Sequence, residues 1–286
     1  HPGRRAARGT TPPFCLAAGR YALAGLLLFG GVALRGGLKK GWPPPRMWLS
    51  AVITGAGLIL LGNGALSWGE LYMSSGTAAI FIATVPLWMT AIARVFQKES
   101  IRPVAAIGLA LGLAGIIVLV GPAAIQSGPL FAMLACLLAA LGWAAATVYS
   151  RSAPFPDNPF QVAGMQMLAG GVVVFLFSLV SGEAAHFNPA AVSPRSELAF
   201  VYLLFIGAIL GFGVYIWLVK VAPLPILATY AYVNPVVAVV LGHFLLGEAI
   251  TLWTVIGGGV VILGVVLIVA SQTHRQPAEL RERSAA

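Results

Sequence analysis

The sequence predicts an all-α membrane protein, a polytopic helical bundle of two inverted five-helix repeats, with nine helices in these 286 residues and ten expected in the full-length chain. Three observations predict it. Charged residues make up 9% of the chain against 59% hydrophobic ones, and mean hydropathy is +0.93. Soluble domains carry about 25% charged residues, so a surface this poor in charge has to face lipid. Apolar runs near the roughly 20 residues needed to cross a bilayer recur along the whole length. Residues of the first half also return in the second at offsets of 149 and 146 residues.

The spans read Pro13–Leu34, Trp48–Gly69, Ser75–Phe96, Pro103–Gly121, Pro129–Ser150, Pro159–Ser181, Leu198–Leu218, Ile226–Leu246 and Leu252–Ser271. Gly, Pro and charge mark the short loops between them, and strand-type alternation is absent, so a barrel is not expected. Numbering the loops by alternation puts Arg35, Lys39, Lys40, Arg46, Arg94, Lys98, Arg102, Arg151 and Lys220 on one side, with Arg275, Arg281 and Arg283 of the polar tail. Between spans the other side holds only Arg195, so the first side is expected to be cytoplasmic. The arm bearing Arg4, Arg5 and Arg8 is the exception to that rule. Short basic loops account for the net charge of +9, and no nucleic-acid-binding face is predicted. Cys15 and Cys136 fall inside apolar runs and read as small buried hydrophobes, not as a disulfide or a metal site.

A shift of 149 residues places Leu61 on Leu210, Gly62 on Gly211, Gly64 on Gly213 and Trp68 on Trp217. The same shift places Ala79 on Ala228, Pro86 on Pro235, Glu99 on Glu248, Gly108 on Gly257 and Gly115 on Gly264. A shift of 146 places Pro13-Phe14 on Pro159-Phe160, Ala17 on Ala163 and Gly25 on Gly171. Five spans, an odd number, separate the copies, so the second runs through the membrane upside down, a transporter signature. The span Pro129–Ser150 opens the second half, and its counterpart would precede Pro13. A first helix of about 20 residues is therefore expected ahead of His1, against the alternatives of a true nine-span protein or one cut after a processed leader, and it would put both termini in the cytoplasm.

The stretches Gly62-Asn63-Gly64-Ala65-Leu66-Ser67-Trp68, Ser75-Gly76-Thr77-Ala78-Ala79 and Ala83-Thr84-Val85-Pro86 resemble the EamA branch of the drug/metabolite transporter superfamily. So do Ala231-Tyr232-Val233-Asn234-Pro235-Val236-Val237-Ala238, Leu246-Gly247-Glu248, Gly257 and Gly264, and Arg20 matches a basic residue typical of the family's second helix. The look is closest to the bacterial drug/metabolite exporter subgroup. The resemblance covers nearly the whole chain and implies a first EamA repeat over 1–122, truncated at its N-terminus, a second over 128–271, and a cytoplasmic polar tail over 272–286. It further implies ten helices around a central cavity, and movement of amino acids, metabolites, nucleotide sugars or drugs.

Polar groups within lipid-spanning helices are costly unless they face a partner or a wet cavity. Asn63, Ser67 and Glu70 share a helical face; Asn63 is a candidate solute contact against the alternative of interhelical bonding, and Glu70 reads as interfacial. Tyr230 and Asn234 share another face, which ends at Pro235, while Tyr232 points elsewhere. Pro86 and Pro235 each remove a backbone donor and are candidate helix-shaping residues beside a midplane site. Trp143 lies on a face with Thr147 and Ser150, and it and Tyr215 are candidate cavity aromatics, whereas Trp68 reads as an interfacial anchor. Arg20 is an intramembrane cation that could attract an anionic group or snorkel outward, and its repeat partner is Gln166. Gly108 with Gly112, and Gly207 with Gly211, have packing spacing. Glu99 and Glu248 read as caps or loop tethers, and His243 as peripheral.

Zinc-hydrolase, P-loop, serine-hydrolase and Cys/His motifs are missing, so no enzyme, cofactor or metal is predicted. The reading is a multi-pass secondary transporter of the bacterial inner membrane. It would work by alternating access on a small metabolite, amino acid or drug, with export the direction the resemblance implies. The partners are that solute and membrane lipid; the oligomeric state and coupling ion stay open. A membrane-embedded enzyme on lipid-like substrates and a non-transporting scaffold are the alternatives.

Overall fold

In a computed structural model of the chain, the described residues are 13–39, 41–98, 102–121, 128–186, 194–246 and 250–273. Among them, nine helices are long and apolar enough to cross a membrane. We label them α1 (Phe14–Gly37), α2 (Pro45–Gly69), α3 (Ser75–Phe96), α4 (Pro103–Val120), α5 (Leu130–Ser152), α6 (Pro159–Val180), α7 (Glu197–Val221), α8 (Leu224–Leu241) and α9 (Leu252–Ser271). The protein is thus an all-α polytopic membrane bundle. The candidate tethers Glu99 and Glu248 lie outside the described residues.

The chain divides into two compact units, His1–Ser67 with Tyr149–Val221, and Trp68–Val148 with Ala222–Ala286. In the first, α6 is the central helix, with Val162 through Met167 all buried. It takes α1 on one side and α2 on another. Glycine makes both approaches possible, as in lipid small residues must substitute for a hydrophobic driving force between helices. A methyl group added at Gly25 would lie 2.5 Å from Leu168 N, and one at Gly171 2.7 Å from Ala22 N. One at Gly55 would meet Gly170 at 2.7 Å. The α1–α6 contacts run head to tail, from Cys15 Sγ against Ser178 Oγ at 2.9 Å, through Gly25, to Gly164 against Phe29. Phe29, Ala51, Met165 and Ala169 fill the core of this unit.

In the second unit, α4 and α9 pack head to tail in the same way. A methyl at Gly108 would fall 2.7 Å from Gly264 O, and one at Gly115 3.0 Å from Gly257 O and 2.7 Å from Val261 N. Gly257 would meet the Leu119 backbone. Tyr232 of α8 enters this seam: fully buried, it donates from its hydroxyl to Leu109 O at 3.0 Å, and its ring lies where a side chain on Gly112 would be. Ala83, Leu109, Ile116, Val261 and Ile268 close around it.

The spans are not uniform coils. The middle of α2, Ala56–Ala65, and of α7, Leu203–Phe212, is π-helical. Span α3 breaks at Ala83 and Thr84, so that Pro86 starts the second segment, where a missing N–H costs nothing. Span α8 breaks at Thr229, and Pro235 sits inside the helix that follows, Tyr230–Leu246. At both breaks a threonine hydroxyl adds a second bond to a carbonyl that already accepts the threonine's own N–H: Thr84 Oγ1 donates to Phe81 O at 2.5 Å and Thr229 Oγ1 to Ile226 O at 2.7 Å.

Candidate functional site

In the first unit the predicted residues Arg20 and Tyr215 belong to one constellation. The Arg20 guanidinium carbon stands 4.5 Å from the centre of the Tyr21 ring. Tyr21 packs edge-on against Phe212 at 5.9 Å, and Phe212 lies 6.4 Å from Tyr215. A cation over an aromatic face is stabilised by the ring quadrupole, and more strongly where water is excluded. Arg20 Nε is shut off from solvent and has no hydrogen-bond partner among the described residues. A buried donor of this kind is costly, and a solute carboxylate or carbonyl would satisfy it. Tyr21 and Phe212 were not singled out in the sequence, although each sits at helical spacing from, or next to, a residue that was.

Gln166, the repeat partner of Arg20, is 0% exposed; its amide donates to Ser150 Oγ at 3.0 Å, and its Oε1 is left without a partner. Thus α1 and α6 carry at equivalent positions one buried polar atom each that nothing among the described residues satisfies. Ser150, read as one member of a face with Trp143 and Thr147, therefore bonds to α6, while the Thr147 hydroxyl turns back to Trp143 O at 2.8 Å.

Asn63 takes neither of the two courses expected of it outright. Its amide donates to Leu58 O at 3.0 Å, five residues earlier in the same π-helical stretch, and the side chain is half-buried. In the second unit Asn234 is exposed, Tyr230 and Trp143 are half-buried, and Tyr232 points away from them into the α4–α9 seam. Pro86 is buried, and Pro235 is half-buried one turn past Tyr230 and Ala231. Trp68 packs with Tyr72 and Phe131, ring centres 5.2 and 5.5 Å away, at the end of α2. Glu70 follows it at the surface, outside the span, where desolvation pushes its carboxyl up.

The end of α1 away from Arg35 is held by an acid outside the spans. Glu183 Oε1 accepts from Phe14 N at 2.9 Å. Burial pushes the Glu183 carboxyl up, and the Phe14 and Cys15 N–H groups pull it partly back. Among the described residues no cluster of His, Cys, Asp or Glu could hold a metal ion.

Comparison with known proteins places this geometry. The model of the EamA-like transporter family matches residues 3–121 and 130–270. The uncharacterized inner membrane transporter YedA of Escherichia coli K12 is 35% identical over 258 residues, covering 90% of this chain and 81% of that protein. The WAT1-related protein At3g02690, chloroplastic, of Arabidopsis thaliana is 28% identical, covering 90% and 63% of the two chains. The uncharacterized transporter YvbV of Bacillus subtilis is 27% identical over 286 residues, covering 97% and 88%. A protein crystal structure shares the fold with a TM-score of 0.73 at 22% identity, covering 93% of this chain and 90% of the other.

Proposed function

Because the chain belongs to the EamA-like transporter family, we propose that it moves a small metabolite, amino acid or drug across the bacterial inner membrane by alternating access of two inverted repeats, in the direction of export. Transport across a membrane by a helical bundle is the family's activity; the solute, the direction and the repeat mechanism are this proposal's own, and it includes no catalytic step.

One observation carries the repeat mechanism. Under the 146-residue shift, Gly25 corresponds to Gly171 and Ala22 to Leu168, and Gly25 approaches Leu168 while Gly171 approaches Ala22. Under the 149-residue shift, Gly108 corresponds to Gly257 and Gly115 to Gly264; Gly108 approaches Gly264 and Gly115 approaches Gly257. Any two spans an odd number apart run oppositely. Reciprocal contacts between equivalent positions are more specific: they are the pattern of a two-fold axis passing through each seam. The π-helical stretches of α2 and α7 fall at overlapping positions under the same 149-residue shift, which supports the same reading. Such stretches are frequent at functional sites.

In this reading Arg20, Tyr215 and Asn63 of the first unit, and Trp143, Tyr230 and Asn234 of the second, contact the solute, with Pro86 and Pro235 shaping the spans beside them. The test is flux from proteoliposomes holding the complete gene product. Wild type moves at least one solute down its gradient, and Asn234→Leu or Arg20→Leu lowers that rate at least about tenfold, the cost of one lost charge-assisted or neutral bond near 1.4 kcal/mol. Unchanged flux of every solute in both variants ends the site assignment. Thiol-accessibility mapping that finds equivalent loops of the two halves on one side of the bilayer ends the inverted mechanism.

A further inference from the structure

The first unit carries a surface feature separate from the residues assigned above to the solute. An open groove of 790 Å³ runs along its surface, lined by Leu27 and Gly31 of α1 and by Ile209, Leu210 and Val214 of α7. Its walls are almost wholly apolar, and it ends at Arg35. There it meets a second, polar pocket of 500 Å³, and the two share Gly37 and Asn158. Lys39, Trp42, Asp157 and Gln161 line this pocket.

The local sequence builds the junction. Gly36, at φ 84°, turns the chain out of α1 in a left-handed conformation that favours glycine, and the Lys39 stem folds back over the space a Gly36 side chain would fill. Lys39 and Arg35 are exposed, so both charges reach the pocket mouth. Trp42 is 66% exposed and stacks on Trp48 at 6.0 Å, the placement of an aromatic at the headgroup level. The pocket also holds an acid, Asp157, but Asp157 lies close enough to Lys220 to interact with it, and Lys220 bonds the Pro156 and Asp157 carbonyls. Positive charge therefore exceeds negative at the polar end.

We propose that this groove and pocket are a binding site for one anionic glycerophospholipid, its acyl chain lying along Gly31 and Leu210 and its phosphate between Arg35 and Lys39. Shape and charge both select that occupant. An acyl chain has no polar group to strand in the apolar groove, and a phosphate is the anion that two flexible cations at a membrane surface attract. From Leu27 to Arg35 is eight residues, a rise of about 12 Å, so the groove spans much of one leaflet. The leaflet is the one on the basic side of the protein.

Native mass spectrometry of the full chain in detergent, with phosphatidylglycerol and phosphatidylcholine of identical acyl chains, reads the proposal directly. One phosphatidylglycerol is retained in preference to phosphatidylcholine. Arg35→Ala with Lys39→Ala weakens that retention about fivefold per cation removed and abolishes the preference. Gly31→Leu, which adds a side chain where no atom lies within 4 Å, weakens retention of both lipids by filling the groove. Equal retention of the two lipids by wild type, or unchanged phosphatidylglycerol retention in either variant, overturns the site. Should a variant fail to fold, a photoactivatable phosphatidylglycerol on wild type decides: label concentrated on peptides containing Leu27–Leu34 and Ile209–Val214 supports the site, and label spread evenly over the lipid-facing helices overturns it.

Discussion

Between α4 and α9, glycines at 108, 112, 115, 257 and 264 bring two backbones together, and the one polar group that Tyr232 adds is satisfied at Leu109 O. Between α1 and α6 the same reciprocal plan uses Gly25, Gly164 and Gly171, but the helices also carry Arg20 Nε and Gln166 Oε1, two buried polar atoms with no partner among the described residues. One seam holds its polar group in a bond; the other pair of helices carries, on faces turned away from the glycine seam, two polar atoms without a partner among the described residues. Packing alone accounts for the first. The second carries a desolvation cost of about 1–3 kcal/mol per orphaned group. A buried polar group without a protein partner calls for an explanation, and the proposed function supplies one for α1 and α6, a solute reached from those helices.

The sharpest way to break the comparison is to block both seams. Gly257→Leu and Gly164→Leu each force a side chain against partner backbone, and overpacking of this kind costs about 1–3 kcal/mol in a packed interior. Both variants should lose the monodisperse peak in size-exclusion chromatography; a well-folded Gly257→Leu protein would mean α4 and α9 do not meet as described. The functional contrast comes next. Arg20→Leu should abolish most flux while leaving the melting temperature within a few degrees. Tyr232→Phe in the α4–α9 seam should do the reverse, costing about 1 kcal/mol of stability by removing the hydroxyl's bond to Leu109 O and leaving flux intact. Equal loss of flux in both would erase the distinction. Gln166→Leu is milder: it removes the orphaned oxygen together with the bond to Ser150, so stability should stay within about 1 kcal/mol of wild type in thermal unfolding.

The smallest effect is on pH. Glu183 has an ordinary pKa of 4.5, raised in the folded chain chiefly by burial. The folded state therefore holds the proton more tightly than the unfolded state. The stability this gives is fully present below the ordinary value and is lost as pH climbs through the raised one. Melting temperature should fall gently over that interval, and Glu183→Gln, which still offers Phe14 N an oxygen, should flatten the slope.

The spans were legible because charge is scarce and Gly, Pro and basic residues punctuate the apolar runs; α3 begins at Ser75 and α9 at Leu252 as the sequence reads. Starts preceded by proline were read late: α2 begins at Pro45, not Trp48, since proline fits the first helical turn. Tyr232 was correctly set apart from Tyr230 and Asn234 by helical spacing alone. The π-helical stretches were not legible, because Ala56–Ala65 is as apolar as a regular coil and nothing in composition distinguishes a wide turn from a normal one. That is why the Asn63 amide, which reaches its own Leu58 carbonyl, could not be told from an interhelical bond. The break at Thr229 was obscured for a related reason: Pro235 marks the region of strain, while the chain relieves it a turn and a half earlier.

Those widened coils have a mechanical consequence. A backbone ladder that skips to a more distant carbonyl is softer than its neighbours, and in α2 and α7 the soft stretch sits close to mid-height, with regular coil above and below. Each rod would therefore flex at its waist while its ends stay moored. Amide exchange at Ala56–Ala65 and Leu203–Phe212 would then outpace that of α4 and α9, which have no such slack.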